Sequence, residues 1–378
     1  MQTVLSRKER GQMIAEKPNQ VLRFDDWLYK VASQSGHGFY NVTRSQAFGA
    51  EWICGCPDFN YRQVKCKHIW AVELSTKLRH VVQSRQVITI LDIHSCVYCK
   101  SSELIKWGLR HNKYGDIQKF SCKSCGKYFT VNLGFEKMKH SPQGITTAMQ
   151  LYFSGQSLRN VAKSLRLLGV QVSHQTVYNW IAKYTELMQK YLAKITPQVS
   201  DTWRADEIYV KMRGNAKWLF AMMDDETRFW IAQEVADTKY THDARTLLRA
   251  AREVAGKKPK THITDGLHVY QDAYTKEYWT KNTADRTLHL RNITFKGEHT
   301  NNKMERLNGE IRDREKVMRS LKNDDTPILT GYQLFHNYIR PHMGLDGKTP
   351  AELCGIQVEG ENKWMTLIQN SKLLETKH

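Results

Sequence analysis

The sequence is short of acidic charge. Its 378 residues include 38 Asp and Glu against 57 Lys and Arg, which gives a formal net charge of +19. An excess of this size favours a polyanionic partner, because each phosphate that a protein neutralises releases condensed counterions. Nucleic acid is the leading interpretation; ribosome-associated and membrane-surface proteins are the alternatives, and motifs must decide between them.

Long apolar runs are also missing. No stretch of eighteen or more apolar residues occurs, which excludes a typical membrane-spanning helix, and the first residues, MQTVLSRKERGQMIAEK, have no apolar core of the signal-peptide kind. We therefore expect a cytoplasmic, nucleoid-associated protein with no membrane partner. Internal repeats and low-complexity linkers are absent too, so domain boundaries must be read from changes in residue usage.

Cysteine is almost absent outside one region. Seven of the eight cysteines lie between Cys54 and Cys125, in short-spaced pairs or beside a histidine, and Cys354 stands apart. In a reducing compartment this clustering favours metal ligands over disulfides.

The first cluster has the pattern CxC, nine residues, CxH, formed by Cys54, Cys56, Cys66 and His68. Three thiolates and one imidazole complete a closed tetrahedral zinc site, which indicates a structural role; buried cysteines without a metal are the alternative. The arrangement resembles the SWIM zinc finger, a short domain of transposases and other DNA- or protein-binding proteins, over roughly residues 40 to 75. The flanking residues fit a strand followed by a helix.

The second cluster pairs Cys96 and Cys99 with Cys122 and Cys125, two CxxC motifs with twenty-two residues between them. This spacing lets two short loops converge on one zinc ion and predicts a zinc ribbon. Basic and aromatic residues interleave in the segment: Lys106, Trp107, Arg110, Lys113, Tyr114, Lys119, Lys123, Lys127, Tyr128 and Phe129. They suit contact with a phosphate backbone, or they are the solvated face of a module that only staples a small fold.

The segment SLRNVAKSLRLLGVQVSHQTVYNWIAKY predicts two short helices, capped by Ser157 and Ser173, with Gly169 in the turn between them. Apolar residues of the two helices can pack together, as in a helix-turn-helix. Five polar residues of the second helix would then be available to a major groove: His174, Gln175, Thr176, Asn179 and Lys183. The alternative is a helical hairpin that binds nothing.

Beyond residue 200, strand and helix patterns alternate. TWRADEIYVKM, KWLFAMMDD and FWIAQEVA predict an antiparallel meander, HDARTLLRAAREVAG a helix, and PKTHITD a short strand. A strand at residues 287 to 293 and a helix at residues 302 to 322 follow. This order predicts an α/β, RNase H-like layer in which helices cover a mixed sheet.

Three acids in this region are candidate ligands. Asp206 lies in the middle of an apolar strand, where a carboxylate is costly unless a cation compensates it. Asp265 ends a strand, and Glu305 lies near the start of the last helix, with Asn308 and Arg312 on the same face. Because magnesium prefers oxygen ligands, acids at two strands and one helix suit two-metal phosphoryl transfer.

Four other acids are rivals for these positions: Glu207, Asp224, Asp225 and Glu310. We expect Asp224 and Asp225 to be turn residues. Side chains alternate along a strand, so Glu207 is predicted to face away from Asp206, and Glu310 lies too far round its helix to replace Glu305.

ADEIYV, ITDG, NNKMERLNGEIRDREK and HNYIRPHMGLDGKTPAEL resemble the DDE transposases of prokaryotic insertion sequences, whose catalytic core is like that of retroviral integrases. The resemblance covers about residues 200 to 356 and implies that Asp206, Asp265 and Glu305 are the catalytic triad. The separation of the last two, 305 − 265 = 40 residues, is somewhat longer than is usual in this family and indicates a small insertion before the final helix.

We therefore expect a DNA transposase that cuts and joins DNA ends. It would hold Mg²⁺ or Mn²⁺ at the three acids and Zn²⁺ in two structural sites. Its partners would be double-stranded DNA, as terminal repeat and as target, and at least one further copy of the chain in a synaptic complex. Alternatives are a transposase-derived regulator without catalysis and an RNase H-like nuclease that cuts but does not join. The predicted modules are a SWIM-type region (1–90), a zinc ribbon (91–136), a helix-turn-helix (137–195), the catalytic domain (200–356) and a C-terminal tail (357–378).

Overall fold

A computed structural model describes residues 6–17, 20–24, 28–36, 38–44, 52–83, 86–91, 94–291, 302–318, 321 and 326–375. The chain divides into two compact units, Met1–Arg85 and Gln86–His378, and each is considered by itself. Within the described ranges, none of the helices combines the length and apolarity that crossing a bilayer requires.

In its described residues, the first unit has a four-stranded antiparallel sheet and three helices. Its strands follow each other in the sheet: β1 (Val21–Arg23), β2 (Leu28–Ala32), β3 (Phe39–Arg44) and β4 (Trp52–Cys54). The helices are α1 (Arg7–Ala15), α2 (Pro57–Arg62) and α3 (Lys67–Gln83). A Cβ on Gly11 would lie 2.5 Å from the Cβ of Trp70, so glycine allows α1 and α3 to pack closely.

The second unit begins with β5 (Gln86–Ile88) and a three-stranded antiparallel sheet. The strands of that sheet are β6 (Leu104–Asn112), β7 (Gly115–Cys122) and β8 (Tyr128–Thr130). The first CxxC motif precedes β6, and the second lies between β7 and β8. β6 is an edge strand, and most of its residues are exposed.

Three helices follow: α4 (Pro142–Phe153), α5 (Leu158–Leu167) and α6 (His174–Leu192). Ser157 and Ser173 each accept a backbone N–H at the start of a helix, and Gly169 has φ +79° in the turn, which confirms the predicted caps and turn. The prediction of a short second helix is wrong. α6 has 19 residues, because its buried face continues through Tyr184, Met188 and Leu192.

Residues 202–290 contain a five-stranded mixed sheet in the order β11-β10-β9-β12-β13. Its strands are β9 (Thr202–Met212), β10 (Asn215–Asp224), β11 (Trp230–Ala236), β12 (Thr261–Ile263) and β13 (Leu288–Leu290). The first three pair antiparallel, as the sequence predicts, and β12 joins β9 in parallel. Helices α7 (Thr241–Ala255) and α8 (His268–Glu277) connect the strands. The predicted mixed-sheet α/β fold is confirmed.

The last elements are α9 (Asn302–Met318), α10 (Pro327–Leu334) with a π-helical turn at Phe335–Ile339, α11 (Pro350–Leu353), β14 (Ile356–Val358) and α12 (Lys363–Glu375). The predicted helix at 302–322 is too long, because Leu321 forms a β-bridge with Met212. Other residues just beyond α9 lie outside the described ranges, as do the last residues of the predicted 287–293 strand and the site of the predicted insertion.

The interpretation of residues 357–378 as a tail is wrong up to Glu375. β14 pairs in parallel with β5, and α12 packs on α4 and α6. Trp364, Leu367 and Ile368 are at most 2% exposed, so the segment belongs to the core of the second unit. The pairing also places β5 in this unit, although its residues fall inside the predicted 1–90 module.

Candidate active site and zinc centres

Three carboxylates meet at the end of β12. β9 pairs with β12 only from Thr202 to Arg204, so β9 continues alone along that edge while the chain after β12 turns at Asp265. One carboxylate oxygen each from Asp206, Glu207 and Asp265 lies within 4.8 Å of the others. Such crowding of negative charge favours a bound cation.

Asp206 is held in place by two donors. Its Oδ2 accepts a 2.8 Å hydrogen bond from Nδ2 of Asn308 on α9, and its Oδ1 accepts from the backbone N–H of Glu207 at 3.0 Å. Burial, assisted by the neighbouring Glu207 charge, raises the pKa of Asp206 to about 7. Without a cation, this carboxylate is therefore costly to ionise.

Glu207 departs from the simple alternation prediction. The contacts do place the two side chains on opposite faces, since Asp206 meets α9 and Glu207 meets Tyr270 of α8. Because β12 ends early, however, the longer Glu207 side chain also reaches the open edge and joins the acidic cluster. Its carboxylate accepts from Nζ of Lys239 at 2.7 Å and from the Tyr270 hydroxyl at 2.9 Å. Burial raises the pKa of Glu207.

Sequence reasoning missed the contributions of Lys239 and Tyr270. Lys239 Nζ also lies 3.7 Å from the centroid of the Trp218 ring. The ring and the carboxylate together fix this cation over β9 and β10. No motif marks either residue, and only the tertiary fold brings them to Glu207.

Glu305 lies in the first turn of α9 and is exposed. It is outside the group of acids whose oxygens converge, while Asn308, three residues later, contacts Asp206. Residues three apart share a helix face, so Glu305 lies one turn from that contact. Arg312 is exposed on the same face. The role of Glu305 thus remains a prediction.

The other rival acids have structural partners. Asp224 is the last residue of β10 and not, as predicted, a turn residue; it is fully buried and accepts hydrogen bonds from the backbone N–H groups of Ser200 and Thr227. Asp225 bonds Arg204 and Lys303 at 2.5 and 2.8 Å, which ties the start of α9 to β9.

The first Cys/His cluster closes around one point. Cys54 ends β4, Cys56 caps α2, and Cys66 and His68 lie at the start of α3; all four are buried. Nδ1 of His68 lies 3.8 Å from Sγ of Cys54 and 4.0 Å from Sγ of Cys66. Hydrogen bonding, chiefly with the Cys54 thiol, lowers the pKa of Cys66 to about 4, which favours the thiolate that binds metal.

The second cluster has the same geometry. Sγ of Cys96 lies 3.7 Å from Sγ of Cys125, and Sγ of Cys99 lies 3.6 Å from Sγ of Cys122. A tetrahedron with zinc–sulfur bonds of about 2.3 Å has edges of about 3.8 Å, whereas a disulfide would need about 2 Å. The backbone N–H of Cys125 helps to lower the pKa of Cys122 to about 6. The thiols therefore have the spacing of a zinc site.

The predicted recognition residues line the accessible side of α6. His174, Gln175, Asn179 and Lys183 are exposed, and Thr176 is half-buried. Val177 and Ile181 are buried against the neighbouring helices, as predicted. Nε2 of Gln175 donates to Oδ1 of Asn179 at 3.0 Å, so two of these side chains are ordered together.

Comparison with known families identifies two parts of the chain. Residues 200–342 match the family described as DDE domain, and residues 50–77 match the SWIM zinc finger. These segments contain the acidic cluster and the first Cys/His cluster respectively. A DDE domain uses divalent metal ions, and a SWIM finger binds zinc. The chain therefore contains one segment that is similar to DDE domains and another that is similar to SWIM zinc fingers.

Its relatives include insertion-sequence proteins. The transposase for insertion sequence element IS257 in transposon Tn4003 of Staphylococcus aureus is 30% identical over 125 residues, 32% of this chain and 54% of that protein. The transposase for insertion sequence-like element IS431mec of the same species is 30% identical over 112 residues, 29% and 48% of the two chains. The chain spans about half the length of these relatives. The resemblance to insertion-sequence DDE transposases, predicted from the motifs, is confirmed.

Solved structures give a weaker likeness. The HTLV-2 integrase catalytic core domain in complex with magnesium is 16% identical, covering 42% of this chain and 98% of that chain, with a TM-score of 0.31. An intasome of simian T-cell lymphotropic virus in complex with a PP2A regulatory subunit gives 15% identity, 55% and 73% coverage, and a TM-score of 0.33.

Proposed function

We propose that this protein is a DNA transposase, a polynucleotidyl transferase that cuts DNA at the ends of an insertion sequence and joins them to target DNA. One observation carries the proposal most directly: Asp206 and Asp265 converge at the open edge of a mixed sheet, and Asn308 of the last sheet-covering helix orients Asp206. The insertion-sequence relatives supply the class of substrate.

Asp206, Asp265 and Glu305 are the proposed ligands of two Mg²⁺ ions, and Mn²⁺ can replace them. The site fits such ions because its acids are crowded, burial raises the pKa of Asp206 to about 7, and the side chains offer hard oxygen ligands. When bound, the ions supply activation of the attacking oxygen and stabilisation of the leaving one. Lys239 and Tyr270 hold the Glu207 carboxylate in the acidic cluster.

The chain itself positions these groups. Asn308 holds one oxygen of Asp206, and the backbone N–H of Leu267 holds one oxygen of Asp265 at 3.0 Å. In the proposed reaction, water first cleaves a phosphodiester at the element's end and leaves a 3′-OH. That hydroxyl then attacks a target phosphodiester and displaces a 3′ oxygen, so one bond forms for each bond broken.

DNA would be held by the proposed recognition helix α6 and by Arg312. Arg312 and Lys183 would contact phosphates, and His174, Gln175, Thr176 and Asn179 would reach base edges. The two Cys/His clusters are proposed to hold one Zn²⁺ each, in a SWIM module and a ribbon. Because two element ends must be brought together, we propose at least a homodimer, acting at the nucleoid.

The test is a cutting and joining assay on DNA that carries the element's own ends, with Mg²⁺ or Mn²⁺. Joined products from the wild type, lost in Asp206→Asn and Asp265→Asn, support the transposase. Cutting without joining supports an RNase H-like nuclease, and end binding with neither product supports a regulator. Asp313→Asn is the matched control, because Asp313 is exposed on α9 and its carboxylate pairs with Lys316 of the same helix.

Glu305 needs its own comparison. Glu305→Gln should abolish joining while leaving end binding intact, since the residue is exposed and its loss removes no packing. Asp313→Asn on the same helix is again the control, because the Asp313 carboxylate pairs with Lys316 and is outside the acidic cluster. Full joining by Glu305→Gln would remove this residue from the triad.

A further inference from the structure

A cavity lined by charged and apolar side chains lies beside α9, and none of the three clustered acids lines it. Its volume is about 210 Å³, room for a group the size of one nucleobase. Its walls are formed by the first half of α9, the end of β10 with the turn after it, and the residues that follow α10: Met223, Arg228, Asn302, Lys303, Arg306, Leu307, Glu310, His336 and His342. The motif HNYIRPH, which the catalytic proposal leaves without a role, supplies the two histidines.

The cavity has cations available for a phosphate. Arg228 and Arg306 make no side-chain hydrogen bond or ion pair with any described residue, whereas Lys303 is engaged by Asp225. The Arg228 guanidinium lies against the backbone of Gly344, where an added Cβ would approach it to 2.5 Å. Glu310 is neutralised by Arg340, so the two arginines leave the cavity cationic.

His336 gives the cavity a specific acceptor. Its Nε2 lies 3.0 Å from the backbone oxygen of Arg228, and because a carbonyl oxygen only accepts, Nε2 must carry the hydrogen. Burial lowers the pKa of His336 to about 3, so the ring is neutral and Nδ1 is a bare acceptor. That Nδ1 is buried without a hydrogen-bond partner in the described chain and lies 4.0 Å from Oε2 of Glu310.

Nδ1 of His336 therefore needs a donor, whereas Oε2 of Glu310 already accepts from Arg340 at 2.9 Å and from the Tyr332 hydroxyl at 3.4 Å. An amino group of a base offers two hydrogens, of which one would satisfy His336 and the other could add a further hydrogen bond to Glu310. Buried Leu307 and Met223 provide apolar surface for the plane of the base. A free phosphate would use the arginines but leave Nδ1 of His336 without a donor, so the whole set of groups favours a nucleotide.

We propose that this cavity holds one unpaired nucleotide of the DNA strand, with its phosphate against Arg228 and Arg306 and its base amino group between His336 and Glu310. The inference rests on the proposed function. Glu305 and Arg306 are consecutive on α9, so they project about 100° apart around the helix. A strand that crosses the start of α9 can therefore place one phosphodiester at the acids and a nearby nucleotide in the cavity.

The experiment is a scan of the element's end with single abasic nucleotides, one position at a time on either side of the cut bond. Joining by the wild type should fall roughly tenfold at one position, because the cavity loses its base. Arg228→Asn and Arg306→Gln should join intact DNA more slowly and lose the extra sensitivity at that position. Asn tolerates the φ of +57° at residue 228, and Lys316→Gln is the matched control on the exposed side of α9.

The inference is overturned if, at every position, an abasic nucleotide reduces joining by the same factor in the wild type and in both arginine variants. The same result is expected if the arginines only contact a phosphate, so that case is excluded by the same comparison. If the wild type does not join intact DNA at all, the proposed function fails first. A second measurement uses the wild type without Mg²⁺: 2-aminopurine at the sensitive position should brighten on binding as it unstacks. Unchanged fluorescence at all positions would also overturn the nucleotide assignment.

Discussion

The substitution Asp206→Asn should stabilise the metal-free protein at pH 8. Burial and the Glu207 charge raise the pKa of Asp206 from 3.8 to about 7, a difference of about 3 units. At about 1.4 kcal/mol per unit, ionising this group in the folded chain costs about 4 kcal/mol relative to the unfolded chain. Asn keeps the shape, and its side chain bears no charge.

The pH dependence has a definite sign. The folded chain keeps the Asp206 proton up to about pH 7, while the unfolded chain releases it near pH 4. The contribution of Asp206 to the free energy of unfolding is therefore fully present below pH 4 and is lost as the pH rises to about 7. Asp206→Asn should lack this loss. Mg²⁺ should reverse the order at pH 8, because it stabilises only the protein that retains the carboxylate.

The measurement is calorimetric unfolding of the wild type, Asp206→Asn and the control Asp313→Asn at pH 5 and pH 8, with and without Mg²⁺. No chelator is added, so that bound zinc is retained. A higher midpoint for Asp206→Asn at pH 8 without Mg²⁺, and a lower one with it, is expected. Lower stability of Asp206→Asn at pH 8 in both buffers would refute the reasoning that the site is strained until a cation binds.

Three further predictions concern other parts of the chain. The wild type should contain two zinc ions by mass spectrometry under native conditions, and Cys66→Ser and Cys122→Ser one each; a single zinc in the wild type would exclude one cluster. Gly331→Ala should destabilise the second unit by about 1 to 3 kcal/mol in urea unfolding, because its Cβ would lie 2.4 Å from Cζ of Phe153; an unchanged midpoint would show that the ring moves freely. In anisotropy titrations, Lys183→Gln should weaken binding to every DNA sequence and reduce the salt dependence of binding, while Asn179→Ala should reduce discrimination between sequences. Equal effects of Asn179→Ala on specific and random DNA would contradict a recognition helix.

Patterns of local origin were predictable from the sequence. The meander from β9 to β11 follows from strands rich in aromatic and β-branched residues between turn signals, and Asp206 is conspicuous there as a charge on an apolar strand. Cysteine spacing likewise placed both sets of four ligand atoms together, because short loops leave few other geometries.

Features that depend on tertiary contacts were missed. Alternation correctly separates the faces of Asp206 and Glu207, but the early end of β12 opens the edge where both carboxylates meet. The segment from β14 to α12 has few sequence patterns that predict a buried strand or helix. It becomes part of the core because β14 pairs with β5 and α12 packs on α6. The long α6 reflects the same effect, since its final turns are stabilised by burial more than by their intrinsic helix preference.

The central claim is that the acids at the end of β12 form a divalent-metal site. Mn²⁺ titration, followed by the loss of the free-ion electron paramagnetic resonance signal, tests it directly. We expect saturable binding by the wild type and by Asp313→Asn, and strong loss in Asp206→Asn and Asp265→Asn at unchanged zinc content. Equal Mn²⁺ binding by all four proteins would contradict the account.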